Sequence, residues 1–332
     1  MTEFIVHIGP HKTGTTYLQA TLDGLRGDLS ACGIHVPSQW NAAPDIHSHM
    51  KLVWGIRSGD FTTLRDQIQS MLEKRPRYIV ISCEALSRLD VEQITGFRDL
   101  LGHAQASIVY YVRRSPERIP SLWQETVKFG HDVTFPEFFT AQLTASKDSA
   151  LWDIHMLDKY AAVFGADRIK VVSYSYLTDN DIDIARHFLV EFLQEANFDL
   201  LPDKRHNQSL TPTETEIIRV LNAFHRRSGG EQSPALRNWF LNNKKEFVTD
   251  RLLEVMQDSL ATIGFNEAEQ PFVPPFEDLV GRYGRAAVPP YHASGLHELR
   301  TVKVTFIRQD YLLAASSLGI LDAIYKKYIE SR

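Results

Sequence analysis

Phe4-Ile5-Val6-His7-Ile8-Gly9-Pro10-His11-Lys12-Thr13-Gly14-Thr15-Thr16-Tyr17-Leu18-Gln19 decides the fold. Phe4 to Ile8 is a nearly continuous apolar run, as expected of a strand covered on both faces. A helical pattern follows from about residue 14 to 29. The loop Gly9-Pro10-His11-Lys12-Thr13-Gly14-Thr15-Thr16 therefore joins the end of a strand to the N-terminus of a helix. Such an end carries roughly half a positive charge and several N–H groups without partners, so it suits an anion. Gly9 and Gly14 permit tight turning and close approach of the backbone to a ligand. Lys12 adds a full cation, and the Thr15 and Thr16 hydroxyls can donate to phosphate oxygens.

Further strand-like runs occur at 78–83, 107–112 and 169–173. Helical patterns lie between them at about 61–74, 91–101, 117–129 and 151–164. Strands alternating with helices predict an α/β fold with a P-loop-like central parallel sheet flanked by helices. Residues 1–210 are expected to form this core. The pair Thr211-Pro212 opens a helix with a capping threonine and a proline at the first position. The pattern from 211 to 332 is mostly helical and is expected to form a C-terminal extension packed on the core. The chain has 332 residues, 43% of them hydrophobic, and a formal net charge of −5. That balance disfavours a nucleic-acid partner. Only Cys32 and Cys83 are present, which argues against a disulfide framework. No apolar run is long enough for a membrane span, and the N-terminus enters a strand at once, so the expected location is cytoplasmic.

The spacing within the first loop separates two kinds of chemistry. A nucleoside-triphosphatase loop places Lys directly after its second glycine. Here Lys12 precedes Gly14 by two positions, and no Lys follows that glycine. The runs at 78–82 and 107–112 continue into Cys83-Glu84 and Arg113-Arg114, without a following Asp for Mg²⁺. A phosphate-loop nucleotide kinase using ATP and Mg²⁺ is the rival reading, and a non-catalytic nucleotide-binding relative is another.

The sequence His7-Ile8-Gly9-Pro10-His11-Lys12-Thr13-Gly14-Thr15-Thr16-Tyr17-Leu18-Gln19 resembles the 5′-phosphosulfate loop of the sulfotransferase family. It is similar to that of many bacterial, soluble members and of the heparan N-sulfotransferase branch. The resemblance implies an enzyme that uses 3′-phosphoadenosine 5′-phosphosulfate (PAPS) as co-substrate and releases 3′,5′-bisphosphoadenosine (PAP), with no metal expected. It implies that Gly9 to Thr16 bind the donor and that Lys12 stabilises charge on the bridging oxygen. It also implies a 3′-phosphate site made by an Arg at the end of a later strand and a Ser eight residues on. Arg113 with Ser121 fits that spacing. The family's R-x-P pattern points instead to Arg114, followed by Pro116. A third contact is Arg205, in the stretch Arg205-His206-Asn207-Gln208-Ser209-Leu210, which resembles a basic loop closing over the nucleotide.

Transfer to a hydroxyl or amine also needs a proton acceptor. His49, Glu84 and His47 are the candidates, in that order. Histidine can accept a proton at neutral pH without tuning. Glu84 stands where ligands of open α/β sheets gather, at the C-terminal end of a strand. Asp45, His47 and His49 alternate along an extended segment, a weak metal pattern that lacks a distant partner. Trp40, Trp54 and Trp123 are candidates for an acceptor pocket, with core packing the expected fate of at least two. The expected acceptor is a small molecule or glycan: a carbohydrate, a glycolipid or a metabolite.

Overall fold

The computed structural model describes residues 2–113, 115–143, 153–195, 210–248, 250–266, 282–283, 301–313 and 315–331. The chain divides into two compact units. One comprises Met1–Arg114, Ser146–Asn207 and Val273–Leu299, and the other Ser115–Ala145, Gln208–Phe272 and Arg300–Arg332. Residues 115–145, which the sequence reading assigns to the sheet core, thus group with the C-terminal region.

The first unit is built on a five-stranded sheet: β1 (Glu3–His7), β2 (Ile34–His35), β3 (Tyr78–Ser82), β4 (Gln105–Val112) and β5 (Ile169–Ser173). Its order is β2-β3-β1-β4-β5, and every pairing is parallel. Phe4 of β1 lies beside Ile79 of β3 and Ala106 of β4, while Ile5 lies beside Val80 and Ser107. Because side chains alternate along a strand, Phe4, Val6, Ile79, Ile81, Ile108 and Tyr110 enter one core. Ile5, Val80, Val109 and Tyr111 enter the other. Both faces are dry, which is why the strands read as continuous apolar runs rather than alternating ones.

Helices α1 (Thr15–Gly24) and α2 (Arg26–Ala31) follow β1, then α3 (Met50–Ser58), α4 (Phe61–Glu73) and α5 (Val91–Leu100). After α6 (Ser115–Lys128) and α7 (Phe135–Leu143) of the second unit come α8 (Asp153–Phe164), α9 (Tyr174–Asp179) and α10 (Ile184–Leu193). Leu18, Leu22, Leu29, Ile184 and Phe188 cover the face that holds Ile5. Leu52, Leu64, Phe97 and Leu157 cover the opposite one. Each such buried side chain contributes about 1.5–3 kcal/mol.

This topology fixes where a ligand can sit. The connection leaving β1 leads to β2 on one side, and the connection leaving β4 leads to β5 on the other. Divergent exits leave a crevice at the C-terminal ends of β1 and β4, the usual ligand position in open parallel sheets. Gly9 to Thr16 follow β1 there, and Arg113 follows β4.

The second unit adds α11 (Pro212–Arg227), α12 (Ala235–Phe247), α13 (Asp250–Asp258), an antiparallel pair β6 (Leu260–Asn266) and β7 (Thr301–Ile307), and α14 (Ala315–Glu330). Ile217, Leu221, Phe240, Met256 and Leu321 are buried. Thr211 caps α11 as expected, accepting from the Glu214 N–H at 3.1 Å while Glu214 accepts from the Thr211 N–H. The strand pair departs from the mostly helical expectation. The alternating Thr301-Val302-Lys303-Val304-Thr305 is strand-like, but its partner precedes it by more than thirty residues.

Candidate active site

The loop after β1 is shaped by contacts that the sequence alone implies only in part. Gly9 has φ 103°, and a Cβ there would stand 3.2 Å from Glu84 Cα. Glycine is therefore required twice over, by conformation and by the approach of Glu84. The Thr13 hydroxyl is buried and donates to the Pro10 carbonyl at 2.8 Å, closing the loop on itself. Lys12 sits in the left-handed region at φ 71°. That conformation costs a non-glycine residue about 1–2 kcal/mol, so glycine would be the cheaper occupant, and a charged side chain stands there instead. Gly14, φ 71°, is the N-cap of α1 and supplies no side-chain cap. By contrast Asp60, Asp90, Asp183 and Thr211 each cap their helices with a side-chain oxygen. The N-terminus of α1 also has no acidic residue in its first turn. The partial positive charge of this helix end is therefore not offset by a carboxylate in the first turn, an arrangement that suits an anion.

Beneath this loop lies a buried carboxylate. Glu84 is the first residue of a 3-10 turn after β3 and is only 9% exposed. The Thr15 hydroxyl donates to its Oε1, and the Gln19 amide donates to its Oε2 at 3.0 Å. Gln19 also donates to Ser82 Oγ at 3.3 Å, and Ser82 Oγ lies 2.8 Å from His7 Nδ1. Burial alone would push the Glu84 carboxyl up. The Thr15 hydroxyl, the charge of His11, its own backbone N–H and the Gln19 amide together outweigh that and hold it below the usual range. Glu84 is therefore ionised at neutral pH. The Thr15 hydroxyl, expected to face an anion, spends its one hydrogen on Glu84 in this arrangement.

Arg113 closes the other side. Its Nη1 donates to the Lys12 carbonyl at 2.9 Å, tying the end of β4 to the loop. Its guanidinium carbon stands 5.8 Å from the centre of the Tyr174 ring. Tyr174 follows β5 directly, and a Cβ on Gly14 would lie 3.4 Å from its hydroxyl. The structure thus brings Lys12, Gly14, Arg113, Glu84 and Tyr174 to one sheet edge. Tyr174 and Gln19 were not singled out from the sequence. Their signals were present: Gln19 lies four residues after Thr15 on the same helix face, and Tyr174 ends a strand.

The histidine candidates sit differently. His49 is 2% exposed, and its backbone N–H donates to the Ser82 carbonyl at 3.1 Å. Its ring Nδ1 accepts from the Ser82 N–H, also at 3.1 Å. One residue therefore satisfies both backbone groups on the free edge of β3, beyond the end of the short β2. Burial, then the charge of Arg26, holds its pKa down to about 3. His47 packs its Nδ1 3.2 Å from Asp23 Oδ2, while Asp23 Oδ1 accepts from Arg26 and from the Asn41 amide. Thr15, Gln19 and Asp23 recur every four residues, so α1 turns one polar stripe toward Glu84, Ser82 and the 41–47 segment.

Ser121 stands half-buried on α6, in the second unit. Arg114 and Arg205 lie outside the described residues. Trp40 and Trp123 are core residues, while Trp54 is 51% exposed. Among the described residues no group of three or more His, Cys, Asp or Glu is placed to hold a metal, and no helix is long and apolar enough to cross a membrane.

No protein-family model matches the chain, and no curated protein matches it. Among solved structures it is similar to a sulfotransferase from Alicyclobacillus acidocaldarius, at 16% sequence identity and a TM-score of 0.40, over 70% of this chain and 98% of that one.

Proposed function

We propose that this chain is a sulfotransferase that moves a sulfuryl group from PAPS to a hydroxyl or amine acceptor. One observation carries the reading: Lys12 is held in a left-handed conformation at the uncapped N-terminus of α1. The loop's resemblance to the 5′-phosphosulfate loop supplies the identity of the anion. In this reading the α1 N–H groups and Lys12 hold the phosphosulfate end of the donor. Arg113 binds its 3′-phosphate, since an arginine fork suits a phosphate through charge-assisted bonds. Glu84 takes the acceptor's proton as the acceptor's oxygen or nitrogen bonds to sulfur and the sulfur–oxygen bond to phosphate breaks. We prefer Glu84 to His49: the donors on Glu84 lower its basicity but leave its carboxylate further lone pairs, whereas the one acceptor nitrogen of a neutral His49 ring is already engaged by the Ser82 N–H. Positioning and charge stabilisation would supply most of the rate.

A second reading has one observation in its favour. Triphosphatases hold Mg²⁺ between a loop Ser or Thr and an acid at the end of a strand, and the Thr15–Glu84 bond has that form. The position of Lys12 before Gly14 opposes it.

The test is a radiolabelled-donor screen against pooled glycans, glycolipids, phenols and amines, in EDTA and with Mg²⁺. Label transfer in EDTA that disappears in Lys12→Ala supports sulfuryl transfer. Transfer that Lys12→Ala leaves intact overturns the assignment of the loop, and phosphoryl transfer from ATP only with Mg²⁺ supports the second reading.

A further inference from the structure

The polar stripe of α1 contains a residue for which the proposed chemistry has no use. Gln19 is buried, one turn below Thr15, and its amide nitrogen reaches both Glu84 Oε2 at 3.0 Å and Ser82 Oγ at 3.3 Å. The carboxylate fixes the orientation of the amide. An amide turned the other way would aim its oxygen at a carboxylate, so both amide hydrogens go outward. Ser82 Oγ then accepts from Gln19 and shares a second hydrogen bond with His7 Nδ1, 2.8 Å away.

Thr15 and Gln19 grip different oxygens of the same carboxylate. They also differ in what else they can bond. Thr15 is the first residue of α1, where an anion on the loop competes for its single hydrogen. Gln19 lies a turn deeper, and its second hydrogen is committed to Ser82, itself anchored on His7. Its hold on Glu84 is independent of the loop.

We propose that Gln19 is the positioning residue for Glu84, keeping the carboxylate in one orientation beneath the loop when the Thr15 hydroxyl turns to a bound anion. This rests on the reading of Glu84 as the proton acceptor. The other titratable groups facing Glu84 are His11 from the loop, His7 from β1 and Cys83 beside it. None of them is changed by substituting Gln19.

Gln19→Met keeps the length and helix propensity of the side chain and deletes both donors. Two readouts apply: the ¹³C-carboxyl titration of Glu84, and the pH profile of PAPS hydrolysis, in which water replaces the acceptor and sulfate and PAP are released. Losing a donor to an ionised carboxylate raises its pKa. The expected result is an upward move of both the titration and the acid limb by about one unit, with kcat reduced and the KM for PAPS unchanged. Ser82→Ala, which leaves the Glu84 side of the amide intact, should move neither. A Gln19→Met protein whose rate falls without movement of the titration or the limb overturns the proposal. Should that variant not fold, the wild-type protein decides. Its Gln19 side-chain amide signals must shift with the Glu84 titration, and indifference overturns the proposal. Absence of PAPS hydrolysis in the wild-type protein counts against the proposed function; the carboxyl titration needs no turnover and then decides the Gln19–Glu84 link alone.

Discussion

Nη1 of Arg113 donates to the carbonyl oxygen of Lys12 at 2.9 Å. The bond joins the residue that ends β4 to the loop that follows β1, across the point where the sheet's connections diverge. It also explains how Lys12 can stay in a left-handed conformation, because its carbonyl has a charged donor waiting. The two cations implied in donor binding are therefore geometrically coupled before any ligand arrives.

Arg113→Lys should break that coupling while keeping the charge. A lysine is a point charge without the planar fork, so it cannot serve the Lys12 carbonyl and a phosphate in the same geometry. The Kd for PAP should rise by about tenfold or more, as expected for loss of a charged hydrogen bond. Calorimetric titration checks this, and an unchanged Kd would remove Arg113 from the nucleotide site.

Lys12→Met should act on chemistry more than on folding. Loss of one charge-stabilising group at a transition state typically reduces kcat by about 10²–10³. Chemical denaturation should show a change of under about 1 kcal/mol, because the methionine meets the same left-handed strain. An equal loss of stability and activity would mean that Lys12 serves the loop's fold instead.

Gly9→Ala should destabilise the protein by about 1–3 kcal/mol through left-handed strain. The added methyl also meets the Glu84 backbone at 3.2 Å. Urea unfolding measures it, and Gly59→Ala is the control. Gly59 shares a positive φ of 73° but has open space around it, so it should cost less.

Much of the architecture was legible for a simple reason. Strands buried on both faces write themselves as apolar runs, and β3, β4 and β5 appear within a residue or two of where those runs lie. The capped helices were equally clear at Thr211-Pro212. Met50–Ser58 was missed because its buried Leu52, Val53 and Ile56 are too few to declare a period. The antiparallel pair β6–β7 depends on partners distant in sequence. At the site, Gly9, Lys12 and Gly14 could be read because loop chemistry is local. His49 could not, since its role is set by Ser82, thirty-three residues away. A histidine that completes a strand edge and one that takes a proton have the same letter and the same polar neighbours. Glu84 is the opposite case, a strand-end carboxylate whose partners Thr15 and Gln19 become visible only when α1 is folded against β3.

The buried histidines set the acid response. Burial holds His49 down to about 3 and His7 to about 4, against an ordinary value of 6.5 in the unfolded chain. Between those limits the unfolded chain binds more protons, so stability is complete above about pH 6.5 and is lost as the pH falls toward 4 for His7 and toward 3 for His49. Each ring adds up to about 1.4 kcal/mol per pH unit in that window. Urea unfolding at stepped pH should show the fall, and His49→Gln should flatten it. A slope untouched by that substitution would contradict the buried, neutral ring.

In the proposed function the edge formed by Lys12, Gly14 and Arg113 binds a nucleotide with two separated anionic ends and no metal. Calorimetric titration of the full chain with PAP in EDTA tests it most directly. Saturable binding at one site is expected, abolished in the Lys12→Ala/Arg113→Ala double variant and not increased by Mg²⁺. No binding of PAP, or binding of ATP alone and only when Mg²⁺ is added, would contradict it.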